Sequence, residues 1–297
     1  MENKYSIGCD VGGSHISCAL VNIVSGNIKE DSLISIKVKN TESKEVLFNI
    51  WTEAILQCKA KLAKSDEFLG LGIAIPAPFD YEKGIGLFDN SNQKFVNLKH
   101  VNVKETLAKN LFIPEDNIKF LNDATAFSLG CYWFGLGKGS KKMVAITLGT
   151  GFGSSFISNG KAIVKGNTVP KDGCLWHFPY KNGIADDYFS TRWFVTNFNK
   201  NLEEQVTGVK RIADLARKGN KNALALFNEF GNNLADCLAE HLIQFNTEIV
   251  IMGGNIAESF ELFRLSLEIG LKGKGIEIPF KVSKLKENAA MLGVSTI

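Results

Sequence analysis

Two glycine-rich turns in this sequence have the residue types of a phosphate-binding site. We call Asp10-Val-Gly-Gly-Ser14 the first glycine turn and Thr147-Leu-Gly-Thr-Gly-Phe-Gly153 the second glycine turn. Glycines let a ligand approach the backbone closely, and consecutive N–H groups can cradle a phosphate. Asp10 could hold Mg²⁺ through water, and Thr150 adds a hydroxyl donor. Either motif could also be a plain hairpin turn, but two of them, each joining two predicted strands, favour phosphate binding.

The pair Asn122-Asp123 lies between a predicted strand and a predicted helix. Both residue types are favoured at a helix N-cap, so a purely structural role is one interpretation. The other makes Asp123 a general base for a hydroxyl group, because a carboxylate near a helix N-terminus stays ionised at neutral pH. A third glycine motif, Ile249-Val-Ile-Met-Gly-Gly-Asn255, would let a nucleotide lie against the backbone, although a tight strand-to-helix turn explains it equally well.

The hydrophobic pattern predicts the elements that position these motifs. Short apolar runs predict strands at residues 5–9, 16–24, 28–38, 69–75, 118–121, 143–148, 154–157, 248–252 and 276–282. Helical spacing of apolar residues predicts helices at residues 44–63, 104–111, 123–133, 186–197, 208–218, 222–245, 256–269 and 287–294. Residues 160–183 are expected to form a loop. The order strand-strand-strand-helix-strand-helix recurs after Ile118, which predicts an α/β fold with helix-covered sheets.

Composition argues against several classes of protein. The 297 residues carry a net charge of +3, far from the balance of a nucleic-acid-binding protein. No apolar run is long enough to cross a membrane, and the first residues lack the apolar core of a signal peptide. The 6 cysteines are scattered without a CxxC pair, which is typical of reduced thiols. We therefore expect a cytoplasmic protein that binds neither nucleic acid nor a membrane.

In their order and spacing, these motifs resemble the sugar kinases of the ROK family, which belongs to the actin, hexokinase and Hsp70-like superfold. The resemblance covers nearly the whole chain and includes Gly70-Leu-Gly-Ile-Ala-Ile-Pro76 and the closing Ala289-Ala-Met-Leu-Gly293. It implies a two-domain actin-like ATPase (ribonuclease H-like) fold with a cleft between the domains. The smaller domain would hold residues 1–121 and about 285–297, and the larger domain residues 122–284. A homodimer is also expected from the resemblance.

The resemblance implies that the chain phosphorylates a hexose hydroxyl with ATP and Mg²⁺, in a glucokinase or hexokinase type of reaction at the 6-hydroxyl. Asp123 would take the proton from that hydroxyl, and Asn122 would bind a neighbouring one. Asp10 would hold Mg²⁺ through water. The nucleotide-binding residues that it implies are Asp10, Gly12, Gly13, Ser14, Gly149, Thr150, Gly151, Gly253, Gly254 and Asn255.

The chain departs from the family pattern in the loop expected to bind the sugar. Family members carry Gly-Glu-x-Gly-His, whereas this chain has Gly173-Cys174-Leu175-Trp176-His177, so a cysteine stands in place of a glutamate. Lys181-Asn-Gly183 stands where the family has its zinc-binding cysteines. His177 and one cysteine cannot complete a structural zinc site, so no zinc is predicted. Asp186 replaces a further glutamate, with Asp187 as the other possible substitute.

His177, Asp186 and Asn92 join Asn122 and Asp123 as predicted sugar contacts, although His177 could also be an ordinary loop histidine. The thiol of Cys174 is a poorer hydrogen-bond partner than a carboxylate, so the sugar stays open. The alternatives to a hexokinase are a kinase for an N-acetylhexosamine or another sugar, or a sugar-sensing pseudokinase. A DNA-binding repressor is not expected, because the first strand starts near residue 5 and leaves no room for a helix-turn-helix. A chaperone or filament ATPase is a further alternative.

Overall fold

A computed structural model describes residues 3–88, 95–200 and 205–297. Over these residues the chain divides into two compact units. The first unit comprises Met1–Phe134 together with Glu287–Ile297, and the second comprises Gly135–Lys286. The domain limits inferred from the sequence, at residues 121 and about 285, stay a prediction.

The first unit contains a five-stranded sheet and the helices that cover it. Its strands are β1 (Lys4–Val11), β2 (His15–Asn22), β3 (Ile34–Lys37), β4 (Glu67–Ile75), β5 (Phe79–Asp80), β6 (Ile85–Gly86) and β7 (Ile118–Asn122). Its helices are α1 (Lys44–Lys59), α2 (Val103–Leu111), α3 (Asp123–Phe134) and α9 (Asn288–Val294), numbered along the whole chain. The sheet order is β3-β2-β1-β4-β7, and β5 and β6 form a separate hairpin.

The second unit has the same plan. Its strands are β8 (Lys142–Leu148), β9 (Phe152–Ser158), β10 (Lys161–Ala162), β11 (Pro179–Tyr180), β12 (Gly183–Ile184), β13 (Ile249–Gly253) and β14 (Phe280–Val282). Its helices are α4 (Ala185–Tyr188), α5 (Thr191–Asn199), α6 (Val209–Arg217), α7 (Lys221–Phe245) and α8 (Phe260–Lys272). The main sheet has the order β10-β9-β8-β13-β14, so β8 and β13 correspond to β1 and β4 of the first sheet.

In both sheets an antiparallel hairpin is joined to parallel strands. β1 pairs antiparallel with β2 and parallel with β4, which in turn pairs parallel with β7. β8 likewise pairs antiparallel with β9 and parallel with β13. Since parallel strands end at the same edge of a sheet, residues that follow β1, β4 and β7 come together, as do those that follow β8 and β13.

Apolar side chains form a separate core in each unit. In the first unit, Trp51 of α1 is fully buried and packs edge-on against Phe48 and Phe95. In the second unit, Phe230 of α7 is fully buried and contacts Phe194 of α5. The predicted periodicity of α7 is therefore the periodicity of its buried face. In the described part of the chain, the structure contains no helix with the length and hydropathy needed to cross a membrane.

Several predicted elements differ from the structure in extent. The third strand, expected over residues 28–38, is confined to Ile34–Lys37, because Ile28 makes a single bridge to Val21. The strand expected over residues 276–282 is likewise shortened to β14. The loop expected over residues 160–183 includes the short strands β10 and β11.

Two predicted helices also differ in where they begin. The helix expected over residues 186–197 is divided into α4 and α5, because Ser190 is extended and starts a new helix. The helix expected from Ile256 begins as a 3-10 turn, and its α-helical part starts at Phe260. In each case the apolar spacing continues across a local change of the backbone, so periodicity alone does not reveal the boundary.

Candidate functional site

Asp10 lies near the carboxyl end of β1, opposite Ser17 of β2 and Ala74 of β4. Burial and, to a smaller extent, the negative charges of Asp123 and Glu287 together raise the pKa of its carboxyl group to about 7. The three carboxylates therefore act on one another within the first unit. A cation at this point would favour the ionised form of Asp10, because it would offset these two charges.

The first glycine turn is held by the segment that follows β3. The backbone N–H of Val38 donates to the carbonyl of Ser14 at 2.9 Å, and that of Asn40 donates to the carbonyl of Gly13 at 3.1 Å. The N–H of Gly12 also donates to the carbonyl of His15, the first residue of β2, at 2.9 Å. The turn therefore has a defined backbone conformation, in which the carbonyl groups of Gly13 and Ser14 are bound by the segment after β3.

Asn122 and Asp123 both bind the first turn of α3. Oδ1 of Asn122 accepts hydrogen bonds from the N–H groups of Ala124 at 3.0 Å and Thr125 at 3.3 Å. Oδ1 of Asp123 accepts from the N–H of Ala124 at 2.8 Å. The capping role is confirmed, because these oxygens satisfy N–H groups that have no partner within the helix. The side chain of Asp123 is exposed, so the cap does not bury its carboxylate.

Tyr81 is a functional candidate that the sequence motifs did not reveal. Nδ2 of Asn122 donates to the hydroxyl of Tyr81 at 3.3 Å, and this hydroxyl donates to the carbonyl of Ile75 at 3.2 Å. The chain of contacts fixes the orientation of the Asn122 amide. Tyr81 lies in a polar stretch without a recognisable pattern, so spacing gave no signal for it.

Residues of α4 and α5 hold the second glycine turn. The N–H and the hydroxyl of Thr191 donate to the carbonyl of Gly149, at 2.7 Å and 2.9 Å. The N–H of Phe152 donates to Oδ1 of Asp186 at 2.7 Å. A Cβ at Gly149 would meet nothing within 4 Å, whereas one at Gly151 would lie 2.8 Å from Oδ1 of Asp186. The turn is thus open beside Gly149 and closed by a carboxylate beside Gly151.

The third glycine motif lies directly beside the second glycine turn. Gly254 has a φ of +85°, in the left-handed region. A Cβ at this position would lie only 2.4 Å from the carbonyl oxygen of Leu148 and would overlap it. The N–H of Ile256 donates to that same oxygen at 3.0 Å. Since Leu148 immediately precedes Gly149, the two nucleotide-binding candidates of this unit are neighbours in space. Gly254 and Asn255 are both exposed.

The loop that carries Cys174 and His177 is fixed to β9. The N–H of Leu175 donates to Oγ of Ser154 at 2.7 Å. Sγ of Cys174 lies 3.8 Å from Nδ1 of His177. Burial and, to a smaller extent, the charge of Asp172 raise the pKa of the Cys174 thiol to about 11, so the thiol is neutral at physiological pH. The loop therefore presents a weak hydrogen-bond donor where the family pattern has a carboxylate.

Asp186 connects this loop to the second glycine turn. Its backbone N–H donates to the carbonyl of Trp176 at 3.0 Å, while its Oδ2 accepts from Arg192 at 3.1 Å. Both carboxylate oxygens of Asp186 thus have protein partners, and its role as a sugar contact stays a prediction. Asp187, its alternative, accepts from the N–H of Ile184 at 3.1 Å.

Two further sequence-based predictions concern this region. Asn92 lies outside the described residues. Within the described ranges, no group of three or more His, Cys, Asp or Glu side chains is placed to hold a metal ion. The prediction that the chain has no zinc site remains a prediction. Mg²⁺ held by Asp10 through water would need a single carboxylate from the protein, and carboxylate oxygens are the ligands that Mg²⁺ prefers.

Comparison with known proteins identifies the family. A sequence model of the ROK family matches residues 6–297. The chain belongs to the ROK family. The resemblance seen in its glycine motifs is thereby confirmed, and so is the α/β fold of the actin-like ATPase type.

The ROK relatives include both kinases and repressors. A glucokinase of Thermotoga maritima is 28% identical over 86% of this chain and 83% of its own length. A xylose repressor of Bacillus subtilis is 25% identical over 99% of this chain and 76% of its own. The crystal structure of a ROK family glucokinase from Streptomyces griseus, in complex with glucose and AMPPNP, superposes with a TM-score of 0.73 at 21% identity, over 98% of both chains.

Proposed function

We propose that this chain is an ATP-dependent kinase that transfers the γ-phosphate of ATP to a hexose hydroxyl, the 6-hydroxyl in a glucokinase-like reaction. The observation that carries the proposal is the shared edge of the first sheet. Asp10 lies near the end of β1, and Asp123 directly follows β7. Both strands run parallel to β4, and ligands of open α/β sheets bind at the carboxyl ends of such strands. The glucokinase relatives support a sugar as the acceptor.

Asp123 is the proposed general base. Its Oδ1 is held by the N–H of Ala124, and it is the first residue of α3, with its side chain exposed to an incoming hydroxyl. Asn122 would bind a neighbouring sugar hydroxyl through Nδ2, because its Oδ1 caps the helix. Asp123 would thus remove the proton from the attacking hydroxyl, and Asn122 would help to position the sugar for phosphoryl transfer.

The glycine motifs would hold the nucleotide. Residues 149–151 would bind the β- and γ-phosphates through backbone N–H groups and the hydroxyl of Thr150, and residues 253–255 would contact the adenosine. Residues 12–14 would face the transferred phosphate. Mg²⁺, when bound, neutralises phosphate charge, and Asp10 would hold it through water. Because the pKa of Asp10 is about 7 in the free protein, the carboxylate is expected to favour the cation increasingly as the pH rises through 7.

The sugar is less closely defined than the nucleotide. His177, Asp186 and Asn92 are the remaining proposed sugar contacts, and Cys174 stands where relatives of this family are expected to have a glutamate. A neutral thiol cannot accept two hydroxyl hydrogen bonds as a carboxylate does. Glucose is therefore the first substrate to test, with mannose, fructose and N-acetylhexosamines beside it.

A panel of these sugars with ATP and Mg²⁺ tests the proposal. ADP release is followed by a coupled assay, and the product is examined by mass spectrometry for one added phosphoryl group and by NMR for its position. We expect turnover with at least one hexose, phosphorylated at the 6-hydroxyl. Reactions without sugar measure background ATP hydrolysis and serve as the control.

A sugar-sensing regulator is the second candidate, because repressors are among the relatives and the loop at Cys174 departs from the kinase pattern. Calorimetry separates it from a kinase. Sugar binding without turnover on any sugar of the panel would favour the regulator and contradict the kinase.

A further inference from the structure

The carboxylate of Asp186 lies directly against the backbone of the second glycine turn. Its Oδ1 accepts the N–H of Phe152 at 2.7 Å, and the same oxygen occupies the space that a Cβ at Gly151 would need. A negative charge is therefore built into the turn that the proposed function assigns to the phosphates of ATP. The carboxylate would repel a phosphate bound to this turn, so phosphate binding requires a positive charge nearby.

Arg192 supplies that positive charge. Its Nη2 lies 3.1 Å from Oδ2 of Asp186 and 3.5 Å from Oδ1 of Asp187. A guanidinium group has five N–H donors, and both of these contacts use the same nitrogen. The side chain of Arg192 is 60% exposed, so its other donors can reach a ligand without desolvation of a buried ion pair.

The backbone of Arg192 is also anchored at the turn. Thr191, the first residue of α5, donates through both its N–H and its hydroxyl to the carbonyl of Gly149. Arg192 is the next residue of the helix, so it starts from a point fixed to the turn. The open space beside Gly149 leaves room for a ligand on the turn itself.

We propose that Arg192 binds the β- or γ-phosphate of the nucleotide and that Asp186 positions it. This inference rests on the proposed function, since it assumes that the second glycine turn holds the phosphates of ATP. In the free protein Asp186 and Asp187 hold the guanidinium beside the turn. In the complex the same group pairs with the phosphate through charge-assisted hydrogen bonds and neutralises the carboxylate of Asp186.

Nucleotide affinity measured by calorimetry tests the role of Arg192. Arg192→Met is expected to weaken the binding of ATP and ADP about tenfold or more, because a charge-assisted hydrogen bond is lost. The binding of AMP, which lacks the β- and γ-phosphates, is expected to stay unchanged. Arg192→Lys keeps the charge and is expected to restore part of the affinity. The matched control is Lys274→Met, which removes another exposed cation of the same unit that pairs with an aspartate, Asp236, at 2.9 Å.

Each outcome bears on either the inference or the proposed function. ATP binding equal to wild type in Arg192→Met, or an equal loss for ATP and AMP, overturns the inference and leaves the kinase proposal to the sugar panel. If wild type binds ATP in an Arg192-dependent way but phosphorylates no sugar, the inference stands and the kinase proposal fails. If wild type binds no nucleotide, both fail. Thermal melts of the variants confirm that they are folded.

Discussion

The first and second glycine turns occupy equivalent places in two sheets of the same strand order, yet a carboxylate meets each of them in a different way. In the first unit, Asp10 is part of the strand, and burial and two other carboxylates raise its pKa to about 7. In the second unit, Asp186 reaches the turn from a separate helix and pairs with Arg192. The charged neighbours of Asp10 are therefore other carboxylates, whereas Asp186 is paired with an arginine that also contacts Asp187.

We propose that this difference suits the two turns to different ligands. A group of carboxylates is suited to a divalent cation, and an arginine beside a turn is suited to phosphate oxygens. The two sheets share a strand order and each carries a glycine turn, and in this proposal the side chains around each turn select its ligand. The predictions below test this proposal, in which the first unit supplies the carboxylates for the cation and the proton, and the second glycine turn pairs phosphate with an arginine.

The largest effect is expected for Asp123→Asn, which removes the proposed base and keeps the size of the side chain. We expect kcat to fall about 10²- to 10⁴-fold, the usual contribution of general base catalysis, with little change in the KM for ATP. Steady-state kinetics on the best sugar of the panel measures both constants. Asp116→Asn, in the 3-10 turn before β7, is the matched control and is expected to behave as wild type. A kcat within threefold of wild type in Asp123→Asn would show that Asp123 is not the base.

The next effect concerns the stability of the free protein as a function of pH. The pKa of Asp10 is about 7 in the folded state, above its ordinary value of 3.8. The folded protein therefore binds more protons than the unfolded chain, and the stability associated with this group is full below pH 3.8 and is lost as the pH rises through 7. The loss amounts to at most about 4 kcal/mol, from 1.36 kcal/mol for each pKa unit.

Asp10→Asn, which cannot ionise, removes this loss and is expected to be more stable than wild type at pH 8 while having little or no kinase activity. Thermal melts at pH 5 and pH 8 without nucleotide measure the difference. Asp186→Asn is the control from the second turn and is not expected to gain stability at pH 8, because the Asp186 carboxylate is paired with Arg192. Equal pH slopes for wild type and Asp10→Asn would contradict the difference between the two turns.

The smallest effect is expected in the sugar loop. The Cys174 thiol is neutral, with a pKa of about 11, and a glutamate in its place would accept hydroxyl hydrogen bonds. Cys174→Glu is expected to raise kcat/KM for glucose about tenfold relative to the preferred sugar, the effect of one or two hydrogen bonds. The same panel of sugars measures the ratio, and Cys174→Ala is expected to leave it nearly unchanged. An unchanged ratio in Cys174→Glu would place position 174 outside the sugar site.

Much of the fold could be predicted because it depends on local patterns. Alternating and helical spacing of apolar residues predicted the core strands β1, β4 and β8 and the long helix α7 to within a few residues. Prediction was poorer where a local backbone change interrupts a continuing pattern, as at Ser190 between α4 and α5. The order of strands within each sheet could not be read from the sequence, since pairing joins segments far apart in the chain.

The sequence by itself determined the glycine motifs and the Asn122-Asp123 pair, because turn and cap residues act through their own backbone and immediate neighbours. It also determined membership of the family, since several short motifs occur in one order along the chain. Only the tertiary structure decided that Tyr81 orients Asn122 and that Asp186 joins Arg192 to the second glycine turn. These contacts bridge residues of different elements, and the chemistry of such a pair exists only after the chain has folded and brought the two side chains together.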